Sequence, residues 1–220
     1  MTTADILEGL RISKQYGVAT ACVKPYLIPL AQKELEGSGV QVCSVIGFSH
    51  GNSTAQVKVF EADAAVAAGE RRLTWSSTLV WLLVESGIRQ INDAVTKHGA
   101  LLKVIFENDY LEEHHIIKLC EICSAIGVGF VKTSTGYGFA KQSDGKYSYK
   151  GATVPHLKLM RLHSKPEVQV KAAGGVRTLD HLLHVMSLAE AARRGITDVP
   201  TTVEFKLIDG GSGCVKRQFN

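Results

Sequence analysis

The sequence predicts a parallel α/β fold. Short apolar segments alternate with helical stretches at regular intervals along the 220 residues, the arrangement of successive strand–helix units. One segment, residues 40–48, is almost continuously apolar, as in strands buried on both faces. With 45% hydrophobic residues the chain can fill one sizeable core and is marginal for two. A single domain over residues 1–220 is therefore expected.

The elements follow in order. Residues 5–16 carry apolar side chains at helical spacing, and Gly17 offers a stop. A strand over 18–23 follows, then a helix opened by Pro25 and Pro29 and closed near Gly37 and Gly39. After the strand 40–48, Asn52 or Ser53 is expected to cap a helix running to Ala68, with Gly69 at its end. Helices near 88–97 and 111–126 flank a strand at 101–107. A strand at 126–132, a long loop at 136–150, a helix near 154–163, a strand at 168–171 and a helix over 179–192 complete the alternation.

Two of these strands end on a lysine. Phe130-Val131-Lys132-Thr133-Ser134-Thr135-Gly136 and Val168-Gln169-Val170-Lys171-Ala172-Ala173-Gly174-Gly175 each pass from an apolar run to a lysine and then to small residues. On neighbouring strands of a parallel sheet, mutual repulsion and burial would lower the pKa of at least one amine. A neutral amine attacks carbonyls, so Lys132 and Lys171 are the candidate catalytic residues. Thr135 and Gly136 are candidate substrate contacts. Gly174 and Gly175 before a helix can be a plain tight turn, or can present backbone N–H groups to a phosphate, with Arg177 as a charged fork. Lys103 points into the sheet's enclosed face if strand alternation holds, and could tune the field around Lys132. It could equally be a lysine covering a strand end.

Other features read as structural. Cys120 and Cys123 have the spacing of a metal or redox half-site, but they fall in phase with Ile116 and Leu119 on a helix and no second such pair exists. His114, His115, His181 and His184 read as surface residues. A net charge of +4 with scattered basic residues gives no support to nucleic-acid binding but admits a small anionic substrate. Five cysteines without a disulfide framework suit reduced thiols and a cytoplasmic setting. The N-terminus lacks the basic and apolar regions of a signal peptide, and no apolar run is long enough to span a bilayer.

The lysine segments FVKTSTGYG and VKAAGGVRT resemble the two signature strands of the deoxyribose-phosphate aldolase family. Cys22-Val23-Lys24-Pro25-Tyr26, Ser44-Val45-Ile46-Gly47-Phe48-Ser49-His50-Gly51 and Leu102-Lys103-Val104-Ile105-Phe106-Glu107 resemble its second, third and fifth strands. The similarity runs from about Ala4 to Leu188. It implies a (β/α)8 barrel of the TIM type, consistent with lysines at strand ends, where barrel enzymes place their chemistry. It also implies a class I lyase of deoxyribonucleotide catabolism that needs no cofactor and no metal. In the family, the lysine matching Lys132 forms a Schiff base with acetaldehyde and the one matching Lys171 depresses its pKa, while the phosphate of a small phosphorylated sugar lies at the glycines matching Gly174 and Gly175. A homodimer is compatible with this reading.

Three departures accompany the match. The family's fourth strand, of the type Glu-Ile-Asp-Met-Val, supplies an aspartate for proton transfer. Here Arg71-Arg72-Leu73-Thr74-Trp75-Ser76-Ser77-Thr78-Leu79-Val80 contains no acid. One permitted set of codons for this segment, read from one base before Leu73, encodes Ile-Asp-Met-Val-Val-Asn-Val-Gly, which is the family's strand. The first strand, of the type Asp-His-Thr-Leu-Leu, has no counterpart before Asp5. Residues 189–220 form a divergent tail in which only 201–208 alternates enough to make a strand. The expected barrel is thus incomplete, with the first strand absent, the fourth and eighth altered, and unpaired edges left over. The alternative reading is a catalytically impaired or inactive homologue, or a defective gene model, that at most binds phosphosugars.

Overall fold

The computed structural model describes residues 2–69, 72–76, 81–142, 144–176, 205–207 and 213–215. Its elements are α1 (Thr3–Gln15), β1 (Thr20–Val23), α2 (Ile28–Leu35), β2 (Gln41–Ile46), α3 (Ala55–Ala67), β3 (Arg72–Ser76), α4 (Trp81–Thr96), β4 (Leu101–Ile105), α5 (Glu113–Ile126), β5 (Phe130–Lys132), β6 (Ala140–Lys141), β7 (Tyr147–Ser148), α6 (Val154–His163), β8 (Gln169–Lys171), β9 (Phe205–Leu207) and β10 (Gly213–Val215). The order β8-β5-β4-β3-β2-β1-β10-β9 forms one sheet, parallel from β8 to β1 and antiparallel at β10 and β9. Among the described residues this sheet is not closed.

Local chemistry sets the element ends. The Thr2 hydroxyl accepts from the Asp5 amide and the Asp5 carboxylate accepts from the Thr2 amide, a reciprocal cap that starts α1. The cap of α3 is Thr54, whose hydroxyl accepts from Val57 N at 3.4 Å, in place of the expected Asn52 or Ser53. Gly127 adopts φ 81° and closes α5. Helix α4 begins at Trp81, earlier than the expected residue 88. The expected loop 136–150 contains a two-stranded hairpin, β6 with β7. Strand β4 ends at Ile105, short of the expected 107, because Glu107 turns into the left-handed region at φ 60°.

Segment 72–76 is a strand despite its polar residues, in register between β2 and β4, so the fourth position of the parallel run is filled. The strand expected within 201–208 forms as β9, but it pairs with β10 beside β1, at the edge opposite β8. The expected helix 179–192, with His181 and His184, lies outside the described residues.

Alternation along the strands separates two faces. Leu102, Val104, Val131 and Val170 pack into one core with Ile88, Ile91, Ile116 and Leu119 of the helices. Their neighbours Lys103, Ile105, Phe130, Lys132 and Lys171 occupy the opposite, inner face. Cys120 and Cys123 lie in the helix-side core as expected. Burial pushes the Cys120 thiol up to about 11, so it is not a ready nucleophile.

Candidate active site

The two strand-end lysines meet. Lys132 and Lys171 are paired across β5 and β8, and because paired residues of parallel strands point to the same face, both side chains enter the inner face together. They are 4% and 1% exposed. Lys103, on β4, is wholly buried on that face with its Nζ 4.7 Å from the centre of the Phe130 ring, a cation–π contact. Also on this face, Thr74 of β3 is 2% exposed and its hydroxyl lies 3.3 Å from the Cys43 thiol. A hydrogen bond with Cys22, then burial, push the Cys43 thiol well up, while the positive field of Lys103 and Lys171 acts against them.

Backbone bonds carry the ladder beyond the strand ends. Phe106 N donates to Lys132 O at 2.9 Å, Asn108 N to Thr133 O at 2.9 Å and Thr133 N to Lys171 O at 3.1 Å. The Thr133 hydroxyl donates to Ala173 O at 2.7 Å and accepts from Ala173 N at 2.9 Å. The segments after β4, β5 and β8 are therefore one hydrogen-bonded unit.

Two carboxylates that the sequence reading did not single out organise this unit. Glu107, 6% exposed, accepts from the Ser134 hydroxyl at 2.5 Å, from Thr135 N at 3.0 Å and from the Thr135 hydroxyl. Asp109 accepts from Lys150 N at 2.6 Å and Gly151 N at 2.9 Å, tying the segment after β7 to the end of β4. Glu107 closes the largely apolar run that begins at Leu101, a local signal like the one that marked Lys132, but its partners and those of Asp109 lie far along the chain. Phe48, after β2, meets Tyr137, after β5, edge to face at 5.7 Å.

The candidate substrate contacts cluster, although their protons are largely engaged. Gly136 N donates to the Ser134 hydroxyl at 3.0 Å and Tyr137 N to the Thr135 hydroxyl at 2.9 Å. Gly136 lies against Gly174, and Gly174 and Gly175 adopt φ 90° and 77°. Gly151, at φ 66°, approaches so closely that an added Cβ would lie 2.3 Å from Gly174 O. We expect Gly151→Ala to lower unfolding free energy by about 1–3 kcal/mol through this overlap and the unfavourable φ, measured as a reduced urea midpoint. Arg177 lies outside the described residues. Among the described residues, no group of three or more His, Cys, Asp or Glu could hold a metal ion, and no helix is long and apolar enough to cross a membrane.

A parallel α/β sheet with paired lysines at its carboxyl edge has the layout of a barrel lyase, and comparisons with known proteins agree. The chain is 40% identical over 201 residues to the deoxyribose-phosphate aldolase of Rhodopirellula baltica, covering 89% of this chain and 79% of that protein. It is 36% identical over 214 residues to that of Bacillus subtilis, covering 94% and 91%. The solved tetrameric deoxyribose phosphate aldolase of Aeropyrum pernix superposes with a TM-score of 0.75 at 27% identity, over 86% of this chain and 77% of that one. No protein-family model matches the chain. The chain belongs to the deoxyribose-phosphate aldolase family, has that family's TIM-type barrel fold with the sheet open among the described residues, and is an aldolase, a lyase.

Proposed function

We propose that the chain cleaves 2-deoxy-D-ribose 5-phosphate to D-glyceraldehyde 3-phosphate and acetaldehyde through an imine on Lys132. The observation that carries the reading is the register of Lys132 with Lys171 on one buried face. Burial and a neighbouring cation both disfavour a protonated amine, and Lys171 supplies the second. The unprotonated Lys132 Nζ adds to the aldehyde carbon of the open-chain sugar, and loss of water gives an iminium. The bond between C2 and C3 breaks, its electron pair passing into the iminium to give an enamine as the C3 hydroxyl gives its proton to solvent water. Glyceraldehyde 3-phosphate leaves, the enamine takes a proton at C2, and water releases acetaldehyde and the free lysine. No oxidant, reductant or further group enters this balance.

The phosphate is assigned to the backbone of Gly174 and Gly175, beside the turn carrying Thr135 and Gly136, with Arg177 adding charge. Support comes from the missing side chains and positive φ values of the two glycines, which let a ligand approach the backbone closely. Lys103 is assigned a field-setting role, supported by its place on the same inner face. A single domain acting in deoxyribonucleotide catabolism in the cytoplasm, as a homodimer, completes the reading. Incubation with deoxyribose 5-phosphate should release acetaldehyde and glyceraldehyde 3-phosphate in equal amounts, measured by separate coupled assays. Release of one without the other would contradict an aldol cleavage.

A further inference from the structure

We propose that Glu107 is a positioning residue for the phosphate end of the substrate, acting by fixing the turn from Ser134 to Gly138 against Gly174. This deepens the imine reading and rests on it. Glu107 is the one described residue other than glycine with positive φ, at 60°. A left-handed backbone at a bulky residue persists only where the surroundings hold it there. What holds it is the side chain. The carboxylate takes the hydroxyl protons of both Ser134 and Thr135 and the Thr135 amide proton.

Those bonds decide the rest of the turn. With their protons committed to Glu107, the two hydroxyl oxygens turn their lone pairs to Gly136 N and Tyr137 N, which they bind at 3.0 and 2.9 Å. Two consecutive turn amides are thus held through one carboxylate. Gly138 completes the seat, since an added Cβ there would lie 2.5 Å from the Glu107 carboxyl carbon.

The turn so fixed is the wall of the Gly174 segment. An added Cβ on Gly174 would lie 3.0 Å from the Ser134 side chain, and one on Gly136 would lie 3.9 Å from Gly174 Cα. The Ser134 and Thr135 hydroxyl protons, both directed at Glu107, are not available to an anion, so Thr135 acts here as a strut and the phosphate is met by the glycine backbone. The strand end carrying Lys132 is tied independently of Glu107, by Phe106 N donating to Lys132 O and Thr133 N to Lys171 O. Loss of the carboxylate should therefore loosen the phosphate end and spare the amine.

Borohydride trapping separates the two ends without requiring turnover. The half-saturating concentration for reductive labelling of Lys132 is measured with deoxyribose 5-phosphate and with acetaldehyde, in the unaltered chain, Glu107→Gln and Ser134→Ala. Glu107→Gln sets an amide donor against groups already donating, and should raise the deoxyribose 5-phosphate value about tenfold or more. The acetaldehyde value should stay within about twofold. Ser134→Ala removes one donor and should give a smaller shift of the same kind, with its own readout should Glu107→Gln fail to fold. If both aldehydes shift equally, or neither shifts, Glu107 does not position the phosphate end. Failure of the unaltered chain to label at Lys132 would instead overturn the imine reading, and this proposal with it.

Discussion

Lys132→Arg should abolish the reduced acetaldehyde adduct and lower deoxyribose 5-phosphate cleavage by about 10³-fold or more, the scale on which loss of a covalent nucleophile acts. The substitution keeps a long basic side chain at the carboxyl end of β5, opposite Lys171. It removes the one property the reaction needs, because guanidinium stays protonated and cannot attack a carbonyl. A melting temperature close to that of the unaltered chain would separate this chemical loss from unfolding. Retained cleavage in Lys132→Arg would move the nucleophile elsewhere, with Lys171 and Lys103 on the same buried face as the immediate candidates.

The second large effect is a gain. Thr74→Asp should raise the cleavage rate by about 10²- to 10⁴-fold, the usual contribution of a placed general acid–base group. The segment 71–80 contains no acid, yet 72–76 still forms a strand between β2 and β4, with Thr74 paired to Lys103. In the alternative reading frame, Thr74 is the position that becomes aspartate. Its side chain is buried on the inner face beside Cys43, within the same sheet as the lysines, and Lys103 offers a cation that would keep a carboxylate ionised there. The measurement is steady-state release of acetaldehyde by both forms. Equal rates would mean that proton transfer in this chain does not need a carboxylate on β3.

The lysine pair and most of the α/β order were legible because each rests on local pattern. A lysine closing an apolar run needs only neighbouring residues to be read, and strand alternation then places Lys103, Lys132 and Lys171 on one face. Helix α6 lies where the local pattern predicts a helix, near 154–163. Strand β3 was less so, because Thr74 and Ser76 break the apolar run and pairing with β2 and β4 supplies what propensity lacks. Glu107 and Asp109 were not read as site residues, since their partners Ser134, Thr135, Lys150 and Gly151 are distant in sequence. The hairpin of β6 and β7 was hidden in a polar, glycine-containing stretch whose strands have only two residues each. The pairing of β10 with β1 depends on the whole sheet and has no local signal.

The most direct test of the central claim is the site of covalent labelling. The unaltered chain is incubated with acetaldehyde and borohydride, digested, and mapped by mass spectrometry. The imine account predicts a reduced two-carbon adduct on Lys132, absent when acetaldehyde is omitted. A label confined to Lys171 or Lys103, or no label on Lys132 under conditions in which the protein cleaves deoxyribose 5-phosphate, would contradict it.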